Sequence, residues 1–119
     1  MLTFPKNARL SQAAEFAEVK AGGKAFPGKF MLLSVLPQAP DIRIGIITSR
    51  KVGNAVKRNR VRRRLREIFR VQRAEVKAGS WIVLVARRAA ADATFESLKS
   101  EWLRLASRAG ILQSHSDGQ

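Results

Sequence analysis

Residues 29–36, KFMLLSVL, are apolar at almost every position, whereas residues 42–49, IRIGIITS, alternate. The first pattern suits a strand covered on both faces. In the second, Ile42, Ile44 and Ile46 face one way and Arg43, Gly45, Ile47 and Ser49 the other. Pro37, Pro40 and Asp41 mark a turn between them, so 29–49 reads as an antiparallel hairpin. Before it, Ser11 is placed to cap a short helix running to about Lys20, with Ala13, Phe16 and Ala17 on one side and Gly22-Gly23 as the stop. After it, a long helix is predicted from an Asn54 cap to about Val76, closed by Gly79. WIVLVA, 81–86, is a third strand. Thr94 caps a last helix whose apolar residues Phe95, Leu98, Trp102, Leu105 and Ala109 are spaced 3-4-3-4 before Gly110. The order α-β-β-α-β-α predicts an α+β fold, a two-layer α/β sandwich with helices on a small sheet.

At 119 residues, 45% of them hydrophobic, the chain reads as one domain with one core. Residues 1–119 form that single domain, with an ordered core at about 8–110 and a polar tail at 111–119. Without cysteine there is neither a disulfide framework nor a thiolate metal site, and the one histidine, His115, reads as a solvated tail residue. The start, MLTFPKNARL, has no continuous apolar segment of a secretory signal, and no run approaches the ~20 apolar residues of a membrane span. A cytoplasmic location, no membrane and no small-molecule substrate are therefore expected.

Charge changes the picture. The net charge is +14, and residues 50–73 hold eleven of the 23 Lys and Arg against Glu67 alone. That segment is thus about +10 and the rest of the chain about +4. Helical period sorts it into faces: Val61, Leu65, Ile68 and Phe69 form a core stripe, and Asn59, Arg63, Arg66, Arg70 and Arg73 stand opposite. Arg58, Arg60, Arg62 and Arg64 flank the stripe, able to lay their methylenes on the core and hold their charges outward. Each like-charge contact one turn apart costs roughly 0.2–0.5 kcal/mol, so a merely solvated face would mix signs. Seven of the eight cations from 57 to 70 are arginine, whose planar fork pairs with phosphate. A polyanion is the implied partner.

The apolar stripe is needed for the core, which argues against a membrane-surface helix, and no zipper, helix-turn-helix or zinc site of a DNA reader is visible. Structured RNA remains, since an arginine ridge follows phosphate geometry more than sequence. A ribosomal-type or ribosome-assembly protein binding rRNA and a subunit of another ribonucleoprotein both fit.

The stretch RIGIITSRKVGNAVKRNRVRRRLRE, 43–67, resembles the signature of the bacterial ribonuclease P protein component. A strand leads into Ser-Arg-Lys, then Gly-Asn-Ala-Val, then Arg-Asn-Arg and a basic helix. The similarity extends over residues 8 to 108, including ARL and EF near the start and WIVLVARRAA after the helix. The resemblance implies the protein subunit of an enzyme that removes the 5′ leader of precursor tRNA. The catalytic centre is then an RNA using Mg2+, and the protein, which binds no cofactor of its own, contacts both that ribonuclease P RNA and the leader. It also implies a left-handed βαβ crossover, where general topology favours the right-handed form, and an additional short strand placed near 24–28.

Carried over by position, Arg58, Asn59 and Arg60 match the Arg-Asn-Arg motif, and Arg62, Arg63 and Arg66 the basic positions after it. Arg50 and Lys51 match the basic pair ending the preceding strand. With Lys57 and Arg70 these residues make the expected RNA-binding surface. Asn59 either donates an amide hydrogen bond to RNA or fixes the helix start. A cleft between the first helix and the sheet is implied for the single-stranded leader, with Phe16, Lys20 and Leu33 at its positions. Lys20 and Leu33 stand where relatives often carry aromatics, so this cleft relies more on charge and less on stacking. Phe16 is open to either leader contact or plain packing. Phe30 and Phe69 are read as core, and Trp81 and Trp102 as core or a partly exposed edge. No Ser/His/Asp or Cys/His arrangement, carboxylate cluster or phosphate-binding glycine loop appears, so no catalytic residue is expected in the protein itself.

Overall fold

The structure is a computed structural model and describes residues 9–113; His115, most of the polar tail and the first eight residues lie outside them. Its element order is α1 (Ala13–Gly22), β1 (Lys24–Pro27), β2 (Met31–Leu36), β3 (Arg43–Ile47), α2 (Ala55–Gln72), β4 (Trp81–Ala86) and α3 (Phe95–Ala109). This is the expected α+β sandwich, with β1 where the additional strand was placed.

Strand pairing departs from the sequence reading. β2 and β3 do not form a hairpin: the sheet order is β1-β2-β4-β3, with β4 antiparallel to β2 and parallel to β3. The reason lies in β4, the run with the least polar content, five of whose six residues are buried. A strand apolar on both faces is accommodated best between two neighbours, and a β2–β3 hairpin would leave it at an edge. The edge goes to β3, which carries Arg43 and Gly45. The 37–42 connection crosses the start of β4, where Ala39 N–H donates to the Gly79 carbonyl at 2.8 Å and Arg43 N–H to that of Ser80 at 3.1 Å. β3, α2 and β4 thereby make a parallel βαβ unit.

The larger core lies between α2, α3 and one sheet face, where Met31, Leu33, Val35, Ile44, Ile82 and Leu84 meet Val61, Leu65, Ile68, Phe69, Leu98, Trp102 and Leu105. Phe69 and Trp102 meet edge to face, centroids 6.0 Å apart, and half-buried Phe30 packs at the margin of this core. α2 starts as predicted, with Asn54 Oδ1 accepting the Lys57 N–H. It ends at Gln72, continues as a short 3-10 turn, Arg73–Glu75, and leaves Gly79 to the loop before β4. α3 is capped by Thr94 and closed by Gly110 at φ 72°, a left-handed position that suits glycine. The chain beyond it is not all tail: Ile111 is buried, and Gln113 bonds the backbone of residues 74–76.

The second sheet face is only partly covered. α1 lies on it through Val19 and half-buried Phe16, packed with Leu10, Trp81 and Val83. Ala13 and Ala17, expected on the buried side, are exposed. Ser11 is not the cap: α1 begins one residue later, and the Glu15 carboxylate accepts the N–H groups of both Ser11 and Gln12. Ile47, at 38% exposure, and half-buried Leu32, Ser34 and Val85 remain open beside α1.

Candidate nucleic-acid interface

The basic face of α2 follows from its burial. Val61, Leu65, Ile68 and Phe69 point into the core, so 3.6-residue periodicity turns Asn59, Arg63 and Arg66 outward. Lys57, Asn59, Arg60, Arg63 and Arg66 are exposed, while Arg58, Arg62 and Arg70 are half-buried. A groove of about 430 Å3 runs along the helix between Asn59, Arg62, Arg63, Arg66, Glu67 and Arg70.

These cations are not equivalent. Arg70 is paired with Glu67, whose oxygens accept from Nε at 2.9 Å and Nη2 at 2.6 Å. That hydrogen bond holds the Glu67 carboxyl below its ordinary pKa and raises that of Arg70. Arg58 donates to the Gly53 carbonyl at 3.0 Å, tying the Arg-Asn-Arg segment to the turn before it. Arg62 donates to Thr48 Oγ1 and to Asn59 Oδ1. The Asn59 oxygen is thus engaged one turn inside α2, orienting Arg62, and does not fix the helix start. Arg64 reaches Ala93 O at 2.6 Å, bracing α2 against the start of α3. Lys57, Arg60, Arg63 and Arg66 form no ion pair among the described residues. Burial, then the charges of Arg9 and Arg62, hold the Arg66 guanidinium below its ordinary pKa.

Arg50 and Lys51 do not end the strand, which stops at Ile47. They sit exposed on a 3-10 turn, Arg50–Val52, capped by Ser49 Oγ. The turn carries them to the C-terminal ends of β3 and β4.

Between α1 and the sheet, a small cavity of about 80 Å3 is lined by Arg9, Leu10, Phe16, Gly45 and Arg66, among others. Gly45 makes room for the aromatic ring: a Cβ there would run into Phe16 Cε1 and Cζ. Phe16 therefore packs on the sheet yet keeps an accessible edge, and Lys20 stands exposed one turn further on. Leu33 is not part of this cleft. It is fully buried in the opposite layer, because side chains alternate along β2; Ser34 is the neighbour that faces the cleft side. Arg66 reaches the cleft from α2, so the helix ridge and the cleft share a border. Arg9 was missed as a site residue, and its place in an ARL segment before the first helix gave no periodic signal.

The cleft is held by an ionic cluster. Arg43 donates to Glu15 Oε2 at 3.0 Å and Asp41 Oδ2 at 2.9 Å, and lies over the Trp81 ring at 5.7 Å. Trp81 Nε1–H donates to Asp41 Oδ1 at 2.8 Å. The Asp41 carboxyl is held below its ordinary pKa first by that Trp81 bond, and Glu15 by the backbone N–H groups of Gln12 and Ser11. Among the described residues no three His, Cys, Asp or Glu side chains are grouped to hold a metal ion, and no helix is long and apolar enough to cross a membrane.

A family model described as Ribonuclease P matches residues 4–110. The ribonuclease P protein component of Symbiobacterium thermophilum is 39% identical over 107 residues, covering 88% of this chain and 93% of that protein. That of Gluconacetobacter diazotrophicus is 40% identical over 106 residues, covering 87% and 91%. Among solved structures, the RNase P protein of Staphylococcus aureus aligns with a TM-score of 0.81 at 25% identity, over 89% of this chain and 98% of its own. The Thermotoga maritima protein aligns at 0.75 and 28% identity, over 84% and 96%.

Proposed function

The chain belongs to the ribonuclease P protein family, and on that premise we propose that it is the RNA-binding subunit of a ribonucleoprotein that removes the 5′ leader of precursor tRNA. The observation that carries this reading is the exposed face of α2, where Arg60, Arg63 and Arg66 have no carboxylate partner among the described residues. A folded protein gains nothing from such a face. A phosphate backbone neutralises it and releases counterions.

In this reading the α2 face and the Arg50–Val52 turn hold the catalytic RNA, and the half-open sheet face beside Phe16 and Lys20 receives the single-stranded leader. Phe16 offers one aromatic edge for stacking, and Ser34, where a stacking group would have to stand, offers none. Charge from Lys20 and Arg66 carries the rest of the leader contact. Bond cleavage and its Mg2+ belong to the RNA; the protein aligns the leader and lowers the repulsion between two polyanions. The compartment is the cytoplasm, where precursor tRNA is made.

Two measurements test this. The purified chain alone should leave precursor tRNA intact and, added to its RNA subunit, should support cleavage at lower Mg2+; cutting by the protein without RNA would refute the accessory role. RNA that co-purifies with the chain should sequence as one catalytic RNA together with precursor tRNAs. Recovery of ribosomal RNA would instead favour a ribosome-associated protein.

A further inference from the structure

A depression of about 1060 Å3 opens at the C-terminal ends of β3 and β4, beside the first turn of α2. One wall is the Arg50–Val52 turn with Lys57 from the first turn of α2. The other is Arg87 and Arg88, the two residues by which the chain leaves β4. Five cations line it against one carboxylate, Asp92, over an apolar floor that includes Val85, Ala86 and Ala91. Arg50, Lys51, Lys57, Arg87 and Arg88 are all exposed, and none forms an ion pair among the described residues.

The placement of Arg87 and Arg88 is built in. Arg87 N–H donates to the Phe30 carbonyl at 2.8 Å, and its own carbonyl accepts from Ala90 N–H at 2.9 Å. Ala90 and Ala91 are buried behind them. Anchored backbone therefore holds Arg87 and Arg88 at the same depression as Arg50 and Lys51, where no described ion pair relieves the gathered charge.

We propose that this groove is a second phosphate track for the catalytic RNA, in which Arg87 and Arg88 hold backbone phosphates on the wall facing Arg50 and Lys51. This rests on the functional reading above and extends it to residues outside the α2 signature. The folded RNA is the occupant because the lining has no aromatic side chain on which leader bases could stack. Opposed cations over an apolar floor instead match a sugar–phosphate edge, recognised by geometry rather than sequence.

The test compares the full-length chain with Arg87→Ala/Arg88→Ala and Arg87→Lys/Arg88→Lys double variants. Affinity for the in vitro transcribed RNA subunit is measured at several salt concentrations, and the KM for precursor tRNA is measured with holoenzyme assembled at saturating protein. The alanine pair should bind the RNA subunit about tenfold or more weakly, with the slope of log K against log salt smaller by about 1.4–1.8, the value for two lost phosphates. The lysine pair should keep the slope, and both should keep the wild-type KM. An unaltered slope in the alanine pair, or a raised precursor KM with unaltered RNA-subunit affinity, would overturn the groove while the functional reading stood. A wild-type chain that did not bind the RNA subunit would overturn both.

Discussion

Arg58 and Arg63 lie little more than one helical turn apart in one basic segment, yet they do different work. The Arg63 side chain is exposed and forms no ion pair among the described residues, whereas Arg58 closes a 3.0 Å bond to the Gly53 carbonyl. Arg63→Ala should weaken RNA binding and leave the melting temperature unchanged or slightly raised, because a like-charge contact is relieved. Arg58→Ala should weaken binding and also lose about 1 kcal/mol in denaturant unfolding. Equal stability of the two variants would remove the distinction. The α2 period fixes which arginines point outward, but not which of those find a backbone acceptor, since that acceptor belongs to another element. Glu101 shows the same limit. It falls on the apolar stripe of α3 and is 5% exposed, and the local partner one turn on, Arg104, reaches it only at 3.4 Å. Its oxygens accept the N–H groups of Lys29, Phe30 and Met31, some seventy residues away, at 2.8–2.9 Å. Glu101→Ala should cost about 2–4 kcal/mol by stranding those donors, with Glu101→Gln intermediate. A loss below that of an ordinary surface substitution would show that the three donors find other acceptors.

The elements themselves were legible wherever one period runs long enough: α2 through Val61, Leu65, Ile68 and Phe69, α3 through Leu98, Trp102 and Leu105, and β4 through an unbroken apolar run. Pairing was not legible, because the 37–42 connection has the composition of a hairpin turn while its Ala39 N–H is spent on Gly79. The order of strands was decided by β4, which lies about forty residues further on. The side of α1 that is buried was misread for a related reason: with alanine on both sides, the short helix has no clear stripe, and the Arg43–Glu15 bond sets its orientation. The Gln12 and Ser11 N–H bonds that chiefly hold the Glu15 carboxyl down, together with the Arg43 bond, make the seating of α1 sensitive to acid. Glu15 and Asp41 both have folded-state pKa values below their ordinary 4.5 and 3.8. Their contribution is therefore full above the ordinary carboxylate range and is lost as the pH falls through the folded values. The Trp81 indole N–H resonance, bonded to Asp41, should shift below about pH 4 before the buried Trp102 resonance moves. Asp41→Asn should remove most of that shift. A Trp81 signal that stays fixed until the whole chain unfolds would show that the cluster does not loosen separately.

Taken over the whole molecule, folding concentrates a charge that the sequence had already gathered. Residues 50–73 carry about +10 of the net +14, and the fold adds Arg9 beside Arg66 and Arg87 and Arg88 across from Arg50. One carboxylate, Glu67, pairs within the α2 face, and the other described ion pairs involve Arg43 and Arg104 instead. Such a surface should make association strongly dependent on salt. With six to ten phosphates contacted, affinity for the RNA subunit should fall about 10³–10⁵-fold between 50 and 200 mM salt. On the proposed function these cations and Mg2+ would both screen phosphate from phosphate, so they should substitute for each other. Rates of precursor cleavage measured across a Mg2+ series, with and without the protein, should differ most at low Mg2+ and converge as Mg2+ rises. Arg60→Ala/Arg63→Ala should move the Mg2+ midpoint back toward that of the RNA alone. If the protein accelerated cleavage by the same factor at every Mg2+ concentration, its role would not be electrostatic, and the unpaired arginines would need another explanation.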